Sequence, residues 1–259
     1  MTERLIAKKQ GALGWIVFNN PERRNAVSID MWEAIPPALE DFEKDANVRV
    51  VVLAGAGDKA FISGADISQF EKQRSSREAV QRYEDISEAA QAKLAGCEKP
   101  VVAMIRGYCL GAGVNVANSC DLRIAADDAR FGIPAGKMGL GYRATSMQKL
   151  VDAVGAPFAR EIMLTARQYT AAEALRMGLV HQVVEKEKLE EFVREYANAI
   201  AANAPLTLRA AKRTIREVSK REYDAELCRS WVRECFESED YAEGRRAFME
   251  KRKPQFRGR

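Results

Sequence analysis

Two glycine-containing segments carry the residues best placed for chemistry. AFISGADI (60–67) follows the β-branched run VRVVVLAG, and GYCLGAGVN (107–115) follows VVAMI. Small residues let backbone approach a ligand closely, and a helix opening after the second segment would offer N–H groups without internal partners. Two such groups aimed at one point make an oxyanion hole, which stabilises charge developing on a carbonyl oxygen. Glycines in either segment also serve as ordinary turn residues, so neither decides the matter alone. A dinucleotide site is the competing reading of the second, but Gly111 and Gly113 are followed by Val116, and G-x-G-x-x-G is absent.

Groups that could move a proton are scarce around these segments. RFGIPAGKMGLGYR (130–143) has the look of a catalytic loop, yet no Asp or Glu occurs from Ala129 to Val151, nor from Pro100 to Cys120. Tyr142 and Arg143 close that loop. The single histidine, His181, sits in the strand-like run GLVHQVV. Ser-His-Asp and Cys-His mechanisms therefore need His181 itself to reach the site, and no histidine cluster exists for a transition metal. The five cysteines lack C-x-x-C spacing and read as reduced, buried thiols.

The elements that must position these residues alternate in the first half. LGWIVF (13–18) reads as a strand running into the turn NNPERRN. A helix follows from Ser28 to about Lys44, then a strand at 48–55 and a polar helix from about Ser76 to Ala95. Further strands fall at 101–105 and 122–126. Strands separated by helices predict an α/β fold with a largely parallel sheet. From Ser146 onward helical patterns dominate. Thr170 and Glu173 form a capping box, Gly178 suits a helix end, Pro205 suits a first turn, and amphipathic helices are expected at about 222–237 and 239–252. A formal charge of +4 is too small to argue for nucleic acid. No apolar run spans a membrane, and the start MTERLIAKKQ lacks a signal-peptide core. A cytoplasmic location is the expectation.

Taken together, NNPERRNAVS (19–28), AFISGADISQF (60–70), KPVVAMIRGYCLGAGVNVANSCDLRIAADDARFGIP (99–134), TARQYTAAEALRMGLVHQVV (165–184) and EGRRAFMEKRKPQF (243–256) resemble the enoyl-CoA hydratase/isomerase (crotonase) superfamily. They run in the family's order across nearly the whole chain. The resemblance implies a crotonase-like spiral of ββα units with a helical C-terminal trimerisation region. It divides the chain into a core at 1–195 carrying the CoA and acyl pocket and a helical region at 196–259. It implies an acyl-CoA substrate, no separate cofactor, no metal, no nucleic acid, and a homotrimer or dimer of trimers.

Carried over residue by residue, the resemblance puts the oxyanion-hole amides on Ala65 and Ala112. Arg23 and Arg24 suit the CoA phosphates. Asp66 and Ile67 fall beside the adenine and pantetheine arm, and Phe248 and Lys251 match a pair that relatives present to CoA across a subunit boundary. The two glutamates of the family's well-known hydratases align with Asn115 and Ala135, so both acids are missing. A tyrosine stands where Tyr142 does in the family's malonyl-type decarboxylases, whose reaction needs no protein base, although those enzymes carry a polar residue at the place of Ala65. Arg143 is then available to orient a second carboxylate. Three functions stay open. One is enolate chemistry without the glutamate pair, most sharply malonyl-type decarboxylation. Another is hydration or isomerisation of an unusual acyl-CoA through Tyr142 or bound water. The last is non-catalytic binding of CoA, or of RNA through the basic tail EKRKPQFRGR (250–259).

Overall fold

The computed structural model describes residues 2–66 and 76–259. Ten strands are present among them: β1 Leu5–Gln10, β2 Leu13–Phe18, β3 Val50–Gly55, β4 Ala60–Ile62, β5 Val101–Ile105, β6 Tyr108–Leu110, β7 Leu122–Ala126, β8 Arg130–Gly132, β9 Tyr169–Thr170 and β10 Gln182–Val184. The helices are α1 Ile29–Lys44, α2 Arg77–Gly96, α3 Ala112–Asn118, α4 Ala144–Thr165, α5 Ala171–Arg176, α6 Leu189–Ala201, α7 Pro205–Val218, α8 Ala225–Phe236 and α9 Glu239–Met249.

The strands form two sheets. One has the order β1-β2-β3-β5-β7-β10, parallel except for the β1–β2 hairpin; the other has the order β4-β6-β8-β9, with β8 and β9 antiparallel. Successive pairs β3–β4, β5–β6 and β7–β8 each place one strand in either sheet, and the first two pairs are followed by helix. This is the expected spiral of ββα units, with a largely parallel main sheet.

Period-two alternation along the main sheet separates two apolar layers. Val51 and Leu53 face the larger core, which contains α1 and the second sheet. Val50, Val52 and Ala54 face Leu189, Val193 and Ala197 of α6. The division at 195/196 thus falls inside a helix that packs on the main sheet on both sides of that point. Helix α1 is continuous through Pro36 and Pro37. Internal prolines weaken a helix, but Met31, Ile35, Ala38, Leu39 and Phe42 form one buried stripe that fixes it against the core.

Several expected elements recur with small shifts. The strand expected from 48 begins at Val50, and the last two helices are shorter, at Ala225–Phe236 and Glu239–Met249. The capping box is formed, with Glu173 N–H donating to Thr170 Oγ1 and Thr170 N–H donating to Glu173 Oε2. His181 precedes β10 and is exposed, its Nδ1 accepting from Arg123 N–H at 3.1 Å. The basic tail lies against its own fold: Arg252 pairs with Glu243, Asp240 accepts from the N–H groups of Arg257 and Gly258, and Arg49 holds Phe256 O. Among the described residues no helix is long and apolar enough to cross a membrane.

Candidate active site

Local hydrogen bonding brings the two glycine segments side by side. Asn25 ties the NNPERRN turn to the following unit by donating to Ala56 O and Ala60 O at 3.0 and 2.8 Å. Val27 N–H then donates to Gly64 O, and Asp66 N–H returns to Val27 O, both at 2.9 Å. These bonds hold 63–66 beyond the end of β4. The second segment turns at Gly111 (φ 53°), whose N–H donates to Gly132 O at 2.9 Å. A Cβ at Gly111 would lie 4.0 Å from Gly64 Cα, so the two turns lie side by side. Behind them, a Cβ at Gly113 would come within 2.3 Å of Ile62 O, so glycine is what allows α3 to sit against β4.

This packing leaves the amides of Ala65 and Ala112 available. Ala112 is the first residue of α3, where an N–H has no partner within the helix. Neither amide donates a backbone hydrogen bond among the described residues. Both residues line a cavity of about 600 Å³ shared with Asn115, Ala135, Tyr142 and Arg143. The site residues from three separate turns of the spiral are thus gathered in one place.

Inside it, Tyr142 O–H donates to Asn115 Oδ1 at 2.7 Å and lies 3.5 Å from Gly111 O. Burial pushes the phenol's pKa well up, with the Asn115 hydrogen bond a smaller, opposing influence. At neutral pH Tyr142 is therefore a proton donor and not a base. Ala135 is the second residue of the 3-10 helix Pro134–Met138 and is buried in the cavity wall. Arg143 donates to Glu84 O and Ser87 Oγ, both at 2.9 Å, and lies 3.6 Å from Glu88. Its guanidinium is thus already engaged with α2, which limits its freedom to orient a substrate group.

Helix α2 supplies what the sequence did not suggest. Val80, Tyr83, Glu84, Ser87 and Gln91 line the cavity from a single face of that helix. Glu84 is half-buried and forms no ion pair among the described residues. The loop at 130–143 carries no acid, but the cavity wall does. The 3.6-residue spacing of 80, 84, 87 and 91 was the available signal; a polar helix face reads as solvated when nothing shows what lies opposite it.

The outer residues divide. Arg23, exposed, pairs with the buried carboxylate of Asp66 at 3.1 Å. Arg24 lies over the Tyr108 ring, 5.0 Å from its centre. Ile67 lies outside the described residues. Phe248 is 83% exposed and neither it nor Lys251 lines the cavity, so within one chain they are not part of this site. Among the described residues no group of three or more His, Cys, Asp or Glu side chains is placed to hold a metal ion.

A profile of the Enoyl-CoA hydratase/isomerase family matches residues 8–259. The chain belongs to that family. It is 36% identical over 251 residues to the short-chain-enoyl-CoA hydratase of Clostridium acetobutylicum, covering 96% of this chain and 95% of the relative. It is 33% identical to the crotonyl-CoA hydratase of Syntrophomonas wolfei, covering 98% of each. An enoyl-CoA hydratase/carnitine racemase structure from Magnetospirillum magneticum superposes with a TM-score of 0.96 at 33% identity, covering 100% of this chain and 97% of that one. An enoyl-CoA hydratase/isomerase family protein from Hyphomonas neptunium gives a TM-score of 0.95 at 37% identity, covering 99% and 98%. The protein is thus a crotonase-superfamily enzyme, its fold that of the family's solved members.

Proposed function

We propose that this crotonase-family enzyme forms the enolate of an acyl-CoA thioester at the amides of Ala65 and Ala112, without a carboxylate pair at positions 115 and 135. The observation that carries the reading is the protonated Tyr142–Asn115 pair in the same cavity as the two available amides. The thioester oxygen accepts from both N–H groups, which hold the charge that develops as electrons move off Cα. Such donors matter most in a site screened from water, where each contributes about 3–4 kcal/mol.

Decarboxylation of a malonyl-type thioester is the sharpest form. The bond from Cα to the substrate carboxylate breaks, its electron pair becomes the enolate, and CO₂ departs. Cα then takes a proton from water or from Tyr142, whose buried phenol is held in the donor form. Asn115 positions that phenol through its carbonyl oxygen. No step asks Asn115 or Ala135 to ionise.

A second reading is hydration or isomerisation with Glu84 as the base. It is favoured by the place of Glu84 in the cavity wall and by the hydratase names of the relatives. A mass-spectrometric screen of CoA thioesters separates the two: loss of CO₂ supports the first, while addition of water or a double-bond shift abolished by Glu84→Gln supports the second. Binding without turnover of any thioester refutes both.

A further inference from the structure

Past Tyr142 the cavity lining turns polar. Gln91 and Ser146 are 5% and 4% exposed, and neither side chain makes a hydrogen bond among the described residues. They differ from Trp15 Nε1 and the Asn118 amide, whose polar atoms are sealed from solvent without partners. The polar ends of Gln91 and Ser146 open instead into the cavity and into an adjoining chamber of about 120 Å³, which both residues also line.

Lys149 and Glu88 complete that chamber beside Arg143. Lys149 donates to Ser119 Oγ at 2.8 Å and forms no ion pair among the described residues. Burial pulls its pKa down, so the ammonium is held there at a cost that an anion would relieve. Glu88 lies 3.6 Å from Arg143 and also favours the Lys149 ammonium, so one carboxylate serves both cations. The chamber therefore holds two positive groups against one negative group, with two unpartnered hydrogen-bonding side chains between them.

We infer that this chamber is a subsite for a carboxylate at the far end of the acyl chain, bound by Lys149, Gln91 and Ser146. A carboxylate accepts several hydrogen bonds at once and supplies the missing negative charge. A methyl terminus would leave Gln91 and Ser146 without partners and Lys149 with Ser119 Oγ alone. The inference rests on the acyl-CoA reading above but on neither of its two reactions.

Adipyl-CoA, whose six-carbon acyl group ends in a carboxylate, and hexanoyl-CoA, of the same length with a methyl end, isolate the terminal charge.

The test uses saturated thioesters, which bind without reacting. Isothermal titration compares adipyl-CoA with hexanoyl-CoA on the intact protein. Wild type is expected to favour adipyl-CoA by about tenfold or more, the usual scale for a charge-assisted contact. Lys149→Met should bring the ratio to about one, and Gln91→Leu should lower it by about threefold. A wild-type ratio of one or below overturns the inference, as does a preference that survives in both variants. Should Lys149→Met fail to fold by circular dichroism, Gln91→Leu and Ser146→Ala carry the same ratio test. If neither thioester binds to wild type, the acyl-CoA reading itself fails and this inference falls with it.

Discussion

Ala112→Pro tests the backbone amide more cleanly than any side-chain change at the site. Ala112 is the first residue of α3, a position where proline is well tolerated because its missing N–H has no helical partner. The residue before a proline must avoid the helical region, and Gly111 already does so, with ψ −109° and no Cβ to meet the ring. Stability is therefore expected to change by no more than about 1 kcal/mol. The proline nitrogen carries no hydrogen, and its ring occupies the space where the thioester oxygen would accept. Loss of one such donor costs about 3–4 kcal/mol in the transition state, or roughly 10²–10³ in kcat/KM. The assay is kcat/KM on whichever thioester the screen identifies, with thermal unfolding measured in parallel. Ala112→Gly, which keeps the N–H, is the control and should stay within a few-fold of wild type. Activity of Ala112→Pro within threefold of wild type, with the fold intact, would refute the assignment of the amide and the mechanism built on it.

Tyr142→Phe leaves Asn115 Oδ1 without its donor, which should lower stability by about 1–2 kcal/mol and turnover by about 10² or more; an unchanged kcat would show that the phenol only packs. The same phenol predicts a pH effect. Burial raises its pKa above the ordinary 10.0, so the folded state holds the proton more tightly than the unfolded chain. Its contribution to stability is present below about pH 10 and is lost as pH rises beyond it, so denaturant midpoints of Tyr142→Phe should decline less steeply there. Crotonyl-CoA is expected to bind without efficient hydration, checked by absorbance of the enoyl thioester. Rapid hydration by enzyme free of host hydratase would move the acid/base work to Glu84, and Glu84→Gln would be the first variant to make. Light scattering should report a trimer or hexamer, because a groove of about 710 Å³ lined by Val232, Phe236, Tyr241 and Phe248 is apolar and open in the single chain. A monomer at micromolar concentration would end that expectation.

The main sheet was legible because its central strands are runs such as VVVLAG and VVAMI, buried on both faces. Helix α1 was legible from Ser28 at its start, although that side chain makes no capping hydrogen bond and two prolines lie inside the helix. The second sheet was not read as a sheet: β4, β6 and β8 have three residues each, too few to show any alternation. The glycine loops suggested an oxyanion hole, and the family resemblance put its amides on Ala65 and Ala112. Glu84, Gln91, Ser146 and Lys149 were not legible, for one physical reason. Each is a polar residue on an amphipathic helix, and the sequence shows which residues share a face but not whether that face meets water or a cavity. Arg143 lines the cavity as its type suggested, but its donations to Glu84 O and Ser87 Oγ could not be read from the sequence.

The side-by-side placement of the turns at Gly64 and Gly111 bears on how such an enzyme changes over evolutionary time. The part of the site that is hardest to assemble is made of main chain, fixed by the turn at Gly111 and the close seat of Gly113 on Ile62. It is indifferent to which side chains surround it. The wall facing it is contributed by the side chains of Asn115, Ala135, Tyr142 and one face of α2. Drift at those positions changes side chains alone, whereas the two backbone amides come with the fold.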